Sequence, residues 1–95
     1  MGNTAFLNIR CNPPKRFAGR VHFIVGIDDE QLGEGYSGDI ISIEVPLGRQ
    51  KVLILVRDGG IDSMSGTTDI EVSEDMNLKV KYALLSKSAR LVIDR

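Results

Sequence analysis

Apolar and polar residues alternate with a period of two along most of this chain. The clearest stretches are Val21-His22-Phe23-Ile24-Val25-Gly26-Ile27, Ile41-Ser42-Ile43-Glu44-Val45, Gln50-Lys51-Val52-Leu53-Ile54-Leu55-Val56 and Leu78-Lys79-Val80-Lys81-Tyr82. Successive side chains of a strand point to opposite faces, so this pattern marks strands with one face turned to a core. Nothing between them reads as an amphipathic helix. The pattern predicts seven strands, over residues 5–10, 20–27, 39–45, 50–57, 67–72, 77–85 and 90–94. Residues 28–33 read as a tight reversal and a short extended piece, and residues 58–66 as the longest loop.

The inward set on this reading is Ala5, Leu7, Ile9, Val21, Phe23, Val25, Ile27, Ile41, Ile43, Val45, Val52, Ile54, Val56, Ile70, Val72, Leu78, Val80, Tyr82, Leu84, Leu91 and Ile93. Most are β-branched or aliphatic, as a dry pleated interface requires. A register slip of one residue would bury Glu44, Lys51, Lys79 and Lys81 instead, a costly transfer of charge out of water. Tyr82 in this layer needs a partner for its hydroxyl.

Turn residues separate the strands. Asn12-Pro13-Pro14 ends the first, Pro46-Leu47-Gly48 links two more, and Asp58-Gly59-Gly60, Ser73-Glu74-Asp75 and Ser86-Lys87-Ser88 complete the set. Short connections at this spacing predict an all-β domain over residues 1–95. The expected form is an antiparallel β-sandwich of about seven strands, immunoglobulin-like or transthyretin-like, with a small closed β-barrel as the alternative.

Composition narrows the function. The 95 residues carry 12 Lys and Arg against 13 Asp and Glu. This balance argues against a nucleic-acid binder, whose affinity rests on surplus cations. No apolar run is long enough for a membrane span, so direct membrane insertion is not expected. Cys11 is the only cysteine, which excludes an internal disulfide, and the first residues do not read as a secretory signal. A reducing, cytoplasmic setting is the expectation.

The middle of the chain resembles PEGA-like and related transthyretin-like bacterial sandwich modules. Val25-Gly26-Ile27-Asp28-Asp29-Glu30-Gln31-Leu32-Gly33 is similar to the element that starts them. Ile41-Ser42-Ile43-Glu44-Val45-Pro46-Leu47-Gly48-Arg49-Gln50-Lys51-Val52-Leu53-Ile54 is similar to the next, where one strand ends and another runs back antiparallel. Asp29 replaces the family's turn glycine, and Arg49 stands where histidine is common. The resemblance implies a sandwich with a non-catalytic accessory or interaction role, and it transfers no binding residue.

Candidate chemistry is sparse. Gly33-Glu34-Gly35-Tyr36-Ser37-Gly38 spells a phosphate loop, but a phosphate loop needs a helix N-terminus after it, and an alternating strand follows here. It reads as a connection. His22 and Cys11 supply at most two nitrogen or sulfur ligands, too few for a zinc-type site, and no acid–base pair is evident. No catalytic residue and no cofactor are expected. If consecutive strands are antiparallel neighbours, one end of the sheet gathers Asp28, Asp29, Glu30, Glu34, Asp58 and Asp62, and the other gathers Lys15, Arg16, Arg20 and Arg49. Asp28, Asp29, Glu30 and Asp58 are then the candidates for a hard cation such as calcium, although their spacing is that of no known calcium loop.

The outward face is not cleanly polar. Ile24, Ile40, Leu53, Leu55, Ala83, Leu85 and Val92 lie on it. A contiguous apolar patch marks a partner surface unless the 58–66 segment folds over it. The strand at residues 50–57 also carries few devices that blunt an edge. The leading expectation is therefore a non-enzymatic interaction or accessory module, acting through an apolar face or open edge that includes Leu53, Leu55 and Leu85, and engaging a protein partner or a second copy. The alternative is a sandwich that holds a cation or small anion in its end loops.

Overall fold

Eight strands, one more than the pattern predicts, make up a computed structural model that describes residues 3–14, 20–59, 61–83 and 85–94, without the side chains of 61–63. They are β1 (Thr4–Arg10), β2 (Val21–Ile27), β3 (Glu30–Tyr36), β4 (Ile40–Pro46), β5 (Gly48–Asp58), β6 (Ile61–Val72), β7 (Met76–Ala83) and β8 (Ser88–Ile93). No helix occurs among the described residues.

The strands run in the order β3-β2-β5-β6-β8-β7-β1-β4. Two four-stranded halves are visible in this order. The seam between them at β6 and β8 has a single parallel bridge, Ser65 to Ser88, supplemented by the Leu91 N–H donating to Thr68 Oγ1 at 2.9 Å. The outermost strands, β3 and β4, then come back into contact, so the sheet nearly closes into a barrel. The expected sandwich is corrected to this barrel-like sheet. It is not purely antiparallel either, because β1 pairs with β7 in parallel.

The additional strand comes from the β2–β3 turn. Asp28 and Asp29 both hold left-handed backbone, with φ of 52° and 64°. Ile27 faces Glu30 across them, the two-residue hairpin that requires positive φ at both central positions. Gly33-Glu34-Gly35 is therefore strand, not connection. A Cβ on Gly33 would lie 2.6 Å from Ile41 Cγ2 and 2.9 Å from Ile43 Cγ2, and one on Gly35 would lie 3.1 Å from Ile41 Cγ1. Missing side chains on the inward side of β3 let β4 approach. The glycine spacing that mimics a phosphate loop instead closes the barrel, and β4, not a helix, follows Gly38.

An L-residue held at left-handed φ is strained by about 1–2 kcal/mol, less for aspartate. Asp29→Gly is therefore expected to stabilise the domain by about 1 kcal/mol, read as a rise of several degrees in melting temperature. A fall would show that the Asp29 carboxylate contributes more than its backbone costs.

The segment expected as the longest loop is the start of β6. Asp58 faces Ile61, and the pairing continues to Gly48 opposite Val72, with an irregularity at Val56/Arg57. Serine and glycine at 63, 65 and 66 look like turn chemistry, whereas here they sit beside the central strand. Residues 61–66 thus extend the sheet and do not fold over Leu53 and Leu55.

The core follows the predicted parity. Val25, Ile43, Ile54 and Val80 are buried, and Lys51 and Lys81 are exposed. Tyr82 is half-buried and donates its hydroxyl proton to the Asn12 carbonyl at 2.6 Å. Cys11, Met64 and Ala89 join the core although the alternation did not place them there. Ile93 is 47% exposed, contrary to expectation, because β8 ends at an open rim. Leu84 lies outside the described residues.

Candidate interaction surface

The outer face of β3, β2, β5 and β6 is set by cross-strand register. Tyr36, His22 and Arg57 form one row, and Glu34, Ile24, Leu55 and Ser65 form the next. Further along, Leu53 lies between Gly26 and Thr67, then Lys51 beside Asp69 and Arg49 beside Glu71. Gly26 has no side chain, so Leu53 stands clear and remains 36% exposed. Ile24 and Leu55 are directly opposed and half-buried.

One end of this face is an ordered aromatic and charged stack. The Arg20 guanidinium sits 4.2 Å over the Tyr36 ring, within cation–π range. Tyr36 also stacks on His22, with centroids 4.7 Å apart and planes at 21°. His22 Nε2 lies 3.3 Å from Glu34 Oε1, and Gln31 Nε2 donates to Glu34 Oε2 at 2.7 Å. Arg20 and His22 both hold the Tyr36 ring, which fixes its orientation on this face. Sequence reading missed this group because it depends on residues 30–36 being strand. The available signal was Glu34 and Tyr36 two apart, matching His22 and Ile24 across a hairpin.

The outer face of the opposite half is different. Ser42 Oγ donates to Asn8 Oδ1 at 2.7 Å, Asn8 Nδ2 donates to Asn77 Oδ1 at 3.2 Å, and Thr4 Oγ1 donates to Glu44 Oε2 at 2.7 Å. Arg10 pairs with Asp94. Its polar groups largely satisfy one another around the exposed Phe6 and Ile40, whereas the β2–β5 face sets Ile24, Leu53 and Leu55 side by side at its centre.

The candidate cation ligands do not converge. Val21 faces Asp58 while Ile27 faces Val52, so Asp28, Asp29 and Glu30 lie at one end of the sheet and Asp58 at the other. The separation is about 20 Å along β2. The unforeseen strand β3 adds one traverse and so reverses the end at which each later loop emerges. For the same reason Arg20 lies at the Asp58 end and Arg49 at the Asp28 end. Lys15 and Arg16, and the side chain of Asp62, lie outside the described residues. Among the described residues, no group of three or more His, Cys, Asp or Glu is placed to hold a metal ion. An open depression of about 370 Å³ near the β6–β7 turn is acidic, but Asp75 Oδ1 accepts the Phe6 N–H at 2.8 Å and Asp94 pairs with Arg10.

The expected open edge is also relocated. β5 is paired with β6 along its length and with β2 from Val52 to Asp58, so the stretch carrying Leu53 and Leu55 is central. Leu53 and Leu55 belong to a face, not an edge. The strands with one paired side are β3 and β4, and both are blunted, by the register shift at Val25/Gly26 and by Pro46 respectively. Leu85 is fully exposed and follows β7 in the turn to β8. Ser88, which ends this turn, bridges Ser65, which in turn faces Leu55.

Inside the barrel, Asn12 substitutes for a strand residue. Its Nδ2 donates to the Val80 carbonyl at 2.8 Å and its Oδ1 accepts the Val80 N–H at 2.9 Å, continuing the β1–β7 ladder past Arg10. Cys11 beside it is fully buried, and burial, then the negative charge of Asp39, pushes its thiol from 9.0 up to about 12. Tyr82 is pushed upward as well, first by burial and then by a charge on Cys11. Both groups are protonated when folded, and the unfolded chain releases its protons first. Stability from Cys11 is therefore complete below pH 9 and is lost as pH rises towards 12, at about 1.4 kcal/mol per pH unit. Urea titrations should show this loss beginning near pH 9 in the wild type and about one unit higher in Cys11→Ala, where Tyr82 alone remains. Identical alkaline limbs would contradict the assignment.

Fold and surface together define a small barrel-like β-domain with one outer face of hydrogen-bonded polar side chains around the exposed Phe6 and Ile40, and one mixed aliphatic and aromatic outer face. No family model, curated protein or solved structure matches the chain. No helix among the described residues is long and apolar enough to cross a membrane.

Proposed function

We propose that this domain is a non-enzymatic interaction module that works through the outer face of β2, β3 and β5. The observation that carries the reading is the asymmetry of the two outer faces. One separates its exposed apolar residues, Phe6 and Ile40, by side-chain hydrogen bonds, and the other sets Ile24, Leu53 and Leu55 beside the ordered Arg20–Tyr36–His22 stack. Aromatic and arginine side chains flanking a desolvatable aliphatic centre are the composition of protein-binding hot spots. The buried, protonated Cys11 is a poor nucleophile, which supports a role without covalent chemistry. The resemblance of residues 21–57 to PEGA-like accessory modules points the same way.

A photo-crosslinking residue at Leu53 tests this in the native host, with the same residue at Phe6 on the opposite half as control. Phe6 is 46% exposed, so exposure is matched. A discrete adduct from position 53 and none from position 6 is the expected result. No adduct from position 53, or equal labelling from both, would overturn the reading.

A further inference from the structure

We infer that the free edge of β4 recruits an extended basic segment of a partner protein as an added strand. This surface is separate from the β2–β5 face, and neither reading needs the other. The added strand lies two strand spacings, about 10 Å, from Phe6 on β1, so Phe6 remains a control for the β2–β5 face.

The direction of the backbone groups on β4 follows from its ladder with β1. In an antiparallel pair, residues that exchange backbone hydrogen bonds alternate with residues that exchange none. The Cys11 N–H donates to the Asp39 carbonyl at 2.9 Å and the Leu47 N–H to the Asn3 carbonyl at 3.0 Å. The bonded residues of β4 are therefore Ile41, Ile43 and Val45. Ile40, Ser42 and Glu44 turn their N–H and C=O groups away from β1. Phe6, opposite Glu44, accordingly sends its N–H the other way, to Asp75 Oδ1. Among the described residues no strand takes up the groups of Ile40, Ser42 and Glu44, because β3 and β4 end the strand order. Pro46 has the same phase, so it removes one donor from this edge and leaves those three.

Space for a partner opens beside them. β3 and β4 leave a turn closed by the Asp39 N–H on the Tyr36 carbonyl at 2.8 Å, and no ladder joins them beyond it. Their far ends border an open depression of about 390 Å³, with Ile27, Glu30 and Leu32 on one side and Glu44 and Pro46 on the other.

Charge selects the occupant. From Val21 to Gly48 the chain carries six acids, Asp28, Asp29, Glu30, Glu34, Asp39 and Glu44, and no lysine or arginine. Lysine is the common guard of an exposed edge, and this edge has none. The nearby cations are engaged elsewhere. Arg10, beside Ile40, pairs with Asp94, and Arg49 and Lys51 face Glu71 and Asp69 on the outer side of β5. Asp28, Glu30 and Glu44 are in no ion pair among the described residues. A lysine or arginine of the added strand lays its hydrocarbon stem along Ile27 and Leu32 and sets its charge among these carboxylates. Main-chain bonds then supply affinity and alternate side chains supply specificity. A second copy would bring two anionic segments together, and like charges disfavour that.

Amide NMR tests the edge and its occupant together. In the protein alone, hydrogen exchange is expected to be fast at Ser42 and Glu44 and slow at Ile41 and Ile43. Titration with acetyl-Lys-Val-Lys-Val-Lys-amide is expected to shift the amides of Ile40, Ser42 and Glu44 and leave those of Ile41 and Ile43 in place. The same peptide with proline for both valines keeps the charge and loses ladder donors, and should bind about tenfold more weakly. Glu44→Lys, which puts a lysine on the edge, should weaken binding by about the same factor with an unchanged melting curve. If that variant melts early, Glu30→Gln on the other wall of the depression replaces it. Equal protection of Ser42, Glu44, Ile41 and Ile43 overturns the inference, because the edge is then covered. Equal binding of the proline peptide also overturns it, since charge attraction alone would account for the contact. Equal binding of a peptide with glutamate for lysine removes the basic partner. If these amides shift with protein concentration alone, the edge pairs with a second copy and the basic partner is wrong.

Discussion

Replacing Gly66 with alanine is expected to destabilise the domain by about 3 kcal/mol, the upper end of what overpacking costs. A Cβ there would lie 2.1 Å from the Ala89 carbonyl oxygen and 3.3 Å from its carbonyl carbon. Both atoms are backbone, so no side-chain rotation relieves the clash. Strand β8 has to retreat. It is held against β6 by the Ser65–Ser88 bridge and the Leu91 to Thr68 hydrogen bond, so the seam between the two halves is the weakest join in the sheet. Opening it exposes Ala89 and Leu91, which are buried. At 4–8 °C per kcal/mol for a domain of this size, melting should fall by roughly 15 °C. Gly38→Ala is the control, since a Cβ there meets nothing within 4 Å and costs only its positive φ of 92°. If both variants lose the same stability, the approach of β8 over Gly66 is not what matters.

Ile54→Ala is expected to cost 2–5 kcal/mol through lost burial and the cavity left behind. Ile54 is completely buried at the middle of the central strand, facing Val25 on one side and Gly66 on the other. Gly66, its β6 neighbour, is the residue over which the Ala89 backbone closes, so the cavity would open beside the seam where the two halves already join poorly. For a small domain this loss is a large fraction of total stability. Denaturant midpoints of Ile54→Ala and of the outward neighbour Leu55→Ala separate the two roles. A comparable loss from both would mean that Leu55 is core and not surface.

Alternation determined the all-β class and the inward parity of most core positions of this protein. Val21 to Ile27 and Val52 to Val56 admit one inward parity, because the other would bury Lys51 beside Arg49 and Arg57. Leu53 and Leu55 were readable as outward for the same reason. Period two marks which face a residue takes, however, not which strand lies beside it. Strand neighbours, the parallel pairing of β1 with β7, and closure into a barrel follow from contacts between residues distant in sequence.

The strand that changed the arrangement most, β3, was hidden because its inward positions are Gly33 and Gly35. Glycine there meets a steric demand of β4, whose Ile41 and Ile43 occupy the space a side chain would take. Local sequence records the glycines but not the isoleucines that require them. From that one strand follow the separation of Asp58 from Asp28, Asp29 and Glu30, the central position of β5, and the stack of Arg20, Tyr36 and His22. Composition and periodicity determined most of what is buried, Cys11, Met64 and Ala89 being the additions. Tertiary packing decided which surface residues meet, because that depends on the direction of each traverse of the chain, and one full strand at Glu30–Tyr36, read as connection, reverses every later one.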